Sequence, residues 1–124
     1  MKVVMLLFML FISSFQAHAE TVLICSTLHY SEVKKKVETE GSYDKFKHCA
    51  VSCLLSLRCS PVEVMQLGVL KELGDILGPG NAEWEDLEAD ANGVKLVTSK
   101  KAKTDKQCFQ GCHKLHSPKK NCMP

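Results

Sequence analysis

Apolar residues recur along the chain at helical rather than strand spacing, and five stretches carry the pattern. Leu28 to Thr39 places Tyr30, Val33 and Val37 on one side, and Gly41-Ser42 ends it. Asp44 to Leu57 is the strongest stretch: Phe46, Cys49, Ala50, Cys53, Leu54 and Leu57 follow the i, i+3, i+4 rule. Its second half is apolar nearly all round, which predicts a central, buried helix. A third begins at Ser60-Pro61-Val62-Glu63, read as an N-cap, a proline at the first helical position and a capping box. It carries Val62, Met65, Val69, Leu73 and Ile76 on one side and stops at Gly78-Pro79-Gly80. Asn81 is placed to cap a fourth, bearing Trp84, Leu87, Ala91 and Val94. Thr104 to Gln107 is a second capping box opening a last helix with Cys108, Cys112 and Leu115, stopped by Ser117-Pro118. No strand pattern of comparable quality exists. The spacing predicts an all-α fold, a compact bundle of four to five short helices.

The N-terminus departs from this pattern. Lys2, the apolar run Val3 to Phe15 and the small residues Ala17 and Ala19 have the three-part form of a secretory signal peptide. The run is shorter than the roughly 20 residues a membrane span needs. The expectation is a leader over residues 1–19, cleaved to leave a single domain over residues 20–124 with no stable membrane anchor. That domain is exported, to the periplasm or the extracellular space. Without Lys2 the remainder holds 15 basic and 14 acidic residues, so no field of one sign points to nucleic acid as a partner. An envelope component or a protein partner fits better.

All seven cysteines lie beyond the leader. In an exported chain, that density predicts disulfides. Cys49/Cys53 and Cys108/Cys112 are each four apart, on one helix face. Two such helices packed antiparallel can join Cys49 to Cys112 and Cys53 to Cys108. Each bridge closes a loop of roughly 55 residues, worth about 4 kcal/mol in the chain-entropy model. Cys25, Cys59 and Cys122 remain unassigned, one further bridge among them being plausible. The competing reading is a zinc site with His48 or His113 as an extra ligand. It fits less well, because structural zinc pairs usually sit in turns.

Polar residues inside the helices make the candidate chemistry. Asp44 and His48 lie one turn apart. Gly68, Glu72 and Asp75 form a stripe on the next helix, with Lys71 on its edge, and Asp86, Asp90 and Gly93 form one on the helix after that. Glycine in a stripe admits close helix approach, so three helices bring ionisable groups to one cleft. In an enzymatic version His48 is a general base oriented by Asp44. Glu72, Asp75, Asp86 and Asp90 then hold a divalent cation, with water as the nucleophile. In a non-enzymatic version the cluster orders the helices or binds a ligand, and no cofactor is needed.

Three blocks, DKxxH (Asp44 to His48), GxxKExxD (Gly68 to Asp75) and WxDLxADxxG (Trp84 to Gly93), resemble the YfiM-type family of small bacterial envelope lipoproteins. The HCxxSC variant from His48 to Cys53 resembles cysteine-bearing C-terminal modules of Rhs-type toxins. The resemblance covers Asp44 to Val94 and implies a shared polar cluster rather than a named reaction. With no lipobox in this sequence, it does not imply a lipid anchor.

Overall fold

The computed structural model describes residues 24–117. The expected leader over residues 1–19, Pro118 and Cys122 lie outside the described residues. Five helices follow one another: α1 Ile24–Glu40, α2 Asp44–Ser56, α3 Pro61–Leu77, α4 Trp84–Thr98 and α5 Asp105–His116. No strand occurs among them, and the all-α bundle stapled by disulfides is what the periodicity predicts.

Helix α2 is the hub and touches all four others. Phe46, Cys49, Ala50, Cys53, Leu54 and Leu55 are buried along it. The two C-x3-C pairs bridge as their spacing predicts, Cys49 to Cys112 and Cys53 to Cys108, each with Cα atoms 5.7 Å apart. That pairing makes α5 antiparallel to α2. It also leaves these four cysteines no thiolate for zinc, and His113 stacks on the Phe46 ring at 4.0 Å instead. The third bridge joins Cys25 to Cys59.

Helix α1 starts a turn earlier than its apolar pattern indicates. The Cys25 bridge anchors its first turn, and Glu63 Oε1 accepts from the Ser26 backbone N–H at 2.7 Å. That donor is one of the four that every helix start leaves unpaired. The capping box expected at Ser60 to Glu63 is therefore not formed. Ser60 is the N-cap without a side-chain bond, and Glu63 turns inward to cap a different helix. At α5 the box is half as expected. Thr104 Oγ1 accepts from Gln107 N–H, but Gln107 Oε1 accepts from the Lys103 N–H, one residue early.

Two faces depart in part from the hydropathy reading, although Val94 is buried and Met65 half-buried as it expects. The α3 stripe of Val62, Val69, Leu73 and Ile76 faces solvent, while Val64, Glu63 and Glu72 face in. On α4, capped at Glu83 rather than Asn81, Trp84 is 77% exposed and Ala91 is exposed. Asp86, Ala89, Asp90, Gly93 and Val94 are its buried side. The reason lies in α2, whose polar edge accepts carboxylates from α4. Contacts rise together along the two helices, Lys45 with Asp86, His48 with Asp90, and Cys49 and Cys53 with Gly93, so α2 and α4 run parallel with α3 returning between them. A Cβ on Gly93 would overlap the Cys49 carbonyl oxygen and sit 2.9 Å from the Cys53 nitrogen. Only glycine permits that backbone-to-backbone approach.

Candidate functional site

Where α2, α3 and α4 meet, the expected cluster is assembled. His48 projects from the middle of α2 and is almost enclosed, with 11% of its side chain exposed. Its Nδ1 lies 3.2 Å from Asp90 Oδ1 and its Nε2 lies 3.3 Å from Asp86 Oδ2. Both carboxylates are buried. Ser52 Oγ donates to the same Asp90 oxygen at 2.8 Å. The other Asp90 oxygen is buried, has no hydrogen-bond partner, and lies against Gly68, where a Cβ would approach it to 2.6 Å. Gly68 thus makes room for the Asp90 carboxylate, as Gly93 makes room for the α2 backbone.

The remaining expected residues lie around this fork. Lys45 donates to both Asp86 and Glu83. Lys71 pairs with Asp75 at 2.9 Å and Glu72 at 3.3 Å, and reaches within 3.4 Å of His48 Nε2. Glu72 is buried, and its Oε2 accepts from the Glu83 backbone N–H at 3.0 Å, capping α4 as Glu63 caps α1. Asp44 lies at the rim, largely exposed and 3.6 Å from Lys45. The carboxylate that orients His48 through Nδ1 is Asp90, a whole helix away, rather than Asp44. Of the six carboxylate and imidazole candidates, His48, Glu72, Asp86 and Asp90 have partners beyond their own helix, whereas Asp44 and Asp75 are each tied to a lysine of their own helix, Lys45 and Lys71.

Charge follows from these contacts. Burial pulls the His48 pKa down, but the hydrogen bond to Asp90 and the charges of Asp90 and Asp86 overcome it, and Lys71 opposes them; the net effect is a pKa above the ordinary 6.5. Burial pushes the Asp86 carboxyl up, and the Lys45 hydrogen bond with the His48 and Lys45 charges outweighs it, leaving the pKa below the ordinary 3.8. Nδ1 is hydrogen-bonded to Asp90, while Nε2 lies between the Asp86 carboxylate at 3.3 Å and the Lys71 ammonium at 3.4 Å. The two carboxylates favour the charged ring over the neutral one.

For a cation, one atom each from Asp44, His48 and Asp86 lie within 4.8 Å of one another. This is a different set from the four carboxylates of the sequence reading, which are dispersed among caps and ion pairs. The trio Cys25, Cys59 and Glu63 is equally close, but both sulfurs are in a bridge.

Lys45, Ser52 and Glu83 are site residues that the sequence reading passed over. The signal for two of them was present: Lys45, His48 and Ser52 step by three and four, a polar stripe on an otherwise apolar helix. Glu83 precedes its helix and carries no periodic signal.

A separate feature lies on the far side of α3. An apolar trough of about 620 Å³ runs between α3 and α4, lined by Pro61, Val62, Met65, Val69, Leu70 and Val94. Gln66 is its one polar lining residue. Among the described residues no helix is long and apolar enough to cross a membrane. Set against protein-family models, curated proteins and solved structures, the chain matches none.

Proposed function

We propose that this chain is a small exported binding protein of the cell envelope or its surroundings, in which the His48 cluster is a structural clamp and the apolar side of α3 is the working surface. One observation carries the reading: His48 has a buried carboxylate beside each ring nitrogen, one of them hydrogen-bonded to it. In its charged form the ring has no lone pair with which to act as a base, and the buried carboxylates favour that form. The three disulfides support an oxidising compartment, and with it export.

The test is His48→Gln, which keeps the size and loses the charge. It should lower stability by about 2 kcal/mol, the scale of hydrogen bonds to charged groups, read by urea unfolding. An unchanged midpoint would instead mark His48 as a residue kept for chemistry. The pH profile adds a second readout. Because the folded His48 pKa is raised, its contribution is fully present below 6.5 and is lost as pH rises through the folded value. Because the folded Asp86 pKa is lowered, its contribution is present above 3.8 and is lost as pH falls through the folded value. The melting temperature should therefore peak between those two ordinary values, and His48→Gln should flatten the alkaline side. A wild-type profile rising above neutral pH contradicts the clamp.

A water-using, metal-assisted hydrolase is the second reading, favoured by the grouping of Asp44, His48 and Asp86. It requires zinc or manganese to raise the melting temperature of the wild type and not of Asp86→Asn. No shift with either metal removes it.

A further inference from the structure

The outward side of α3 has a pattern of its own. Val62, Gln66, Val69, Leu73 and Ile76 step by four, three, four and three, with Leu70 and Leu77 beside them. That is the heptad seam by which one helix packs on another. Val62, Val69, Leu73 and Ile76 are 43 to 65% exposed, and Leu77 is 89% exposed. No charge interrupts the seam. Of the four charged residues on α3, Glu63 and Glu72 are turned inward to cap α1 and α4, while Lys71 and Asp75 pair beside His48.

We infer that this seam is a homodimer interface, with α3 packed against α3 of a second copy. The inference deepens the binding reading and rests on it. Three features select this occupant. Six apolar side chains, Val62, Val69, Leu70, Leu73, Ile76 and Leu77, stand 43 to 89% exposed along one helix side, a contiguous apolar patch of the kind that marks an interaction site. A helix lying on a membrane surface carries lysines and arginines along its rim, and α3 has only Lys71, already engaged on the opposite side by Asp75 and Glu72. Gln66 is the single polar side chain in the seam, and a lone amide at a core heptad position is satisfied by its own copy across a two-fold axis. The trough beside the seam is open to take side chains from the facing helix.

The experiment is sedimentation equilibrium of the oxidised protein carrying Cys122→Ser, so that an interchain disulfide is not counted as association. The expected result is a reversible dimer. Val69→Glu should weaken it roughly a hundredfold while leaving the helical circular-dichroism spectrum intact, since Val69 is already solvent-facing. Leu28→Glu, at an exposed position on α1, is the control and should leave the dimer unchanged. Four results overturn the inference: a monomer at every concentration, a dimer that survives Val69→Glu, a dimer lost with Leu28→Glu instead, or binding to phospholipid vesicles without self-association. A monomer whose His48→Gln variant is still destabilised would refute the dimer and leave the clamp standing. A dimer whose His48→Gln variant is fully stable would do the reverse.

Discussion

Replacing all four cysteines of the α2–α5 pair with alanine should abolish cooperative unfolding, whereas removing either bridge alone should cost less than half as much as removing both. The bridges are nested: Cys53–Cys108 spans 55 residues inside the 63 spanned by Cys49–Cys112. The first to form closes a long loop, worth about 4 kcal/mol in the chain-entropy model. The second then closes only the short remainder, one helical turn from each helix, worth about 2.5 kcal/mol on the same model. Cys49→Ala/Cys112→Ala should therefore lose about 2.5 kcal/mol, and so should Cys53→Ala/Cys108→Ala, because the surviving bridge still closes the long loop. The quadruple variant should lose about 6 to 7 kcal/mol, comparable with the whole stability of a domain this size. Calorimetry reads all three. Losses of about 4 kcal/mol for each bridge singly would show that the two act independently and that nesting does not matter.

Gly93→Ala should be strongly destabilising although it adds a single methyl group. Alanine improves helix propensity by about 1 kcal/mol. Against that, its Cβ meets the backbone of α2 at Cys49 and Cys53, which no rotamer change can relieve. Prying apart two packed helices exceeds the usual overpacking cost of about 1 to 3 kcal/mol, at about 4 kcal/mol, for a net loss of about 3. Gly74→Ala is the matched control. Its Cβ meets nothing within 4 Å on the exposed side of α3, so propensity alone acts and the variant should gain about 1 kcal/mol. If Gly93→Ala unfolds at or above the wild-type urea midpoint, the close approach of α2 and α4 is not what holds the cluster together.

These two cases show what was legible in the sequence. The bridging pattern was, because i, i+4 cysteines on two helices admit one parallel pairing once the helices run antiparallel. The stripe containing Gly93 was also legible, since the spacing of Asp86, Asp90 and Gly93 puts them on one side. What periodicity does not encode is which side faces in. On α4 the usual rule fails because α2 offers a histidine, a lysine and a serine to receive the carboxylates, so the polar stripe is the packed one and Trp84 is left in water. On α3 the apolar stripe reads as core, yet the side that packs carries Glu63 and Glu72, each bound to the backbone start of another helix. The partner of His48 was likewise hidden. Asp44 is its neighbour along the helix, but Asp90 becomes its neighbour only through the parallel course of α2 and α4, which no local spacing specifies.

The bridge topology bears on how the native form is reached. A chain lengthening from its N-terminus presents Cys25, Cys49, Cys53 and Cys59 before Cys108 and Cys112 have been made. Of the six ways to couple two of those four early thiols, only Cys25–Cys59 is native. Oxidation that outpaces synthesis thus traps α2 in wrong couplings, and escape runs through thiolate attack and reshuffling. Yield of the correct isomer should depend on a disulfide isomerase, or on delayed oxidation, far more than on the intrinsic speed with which the helices form.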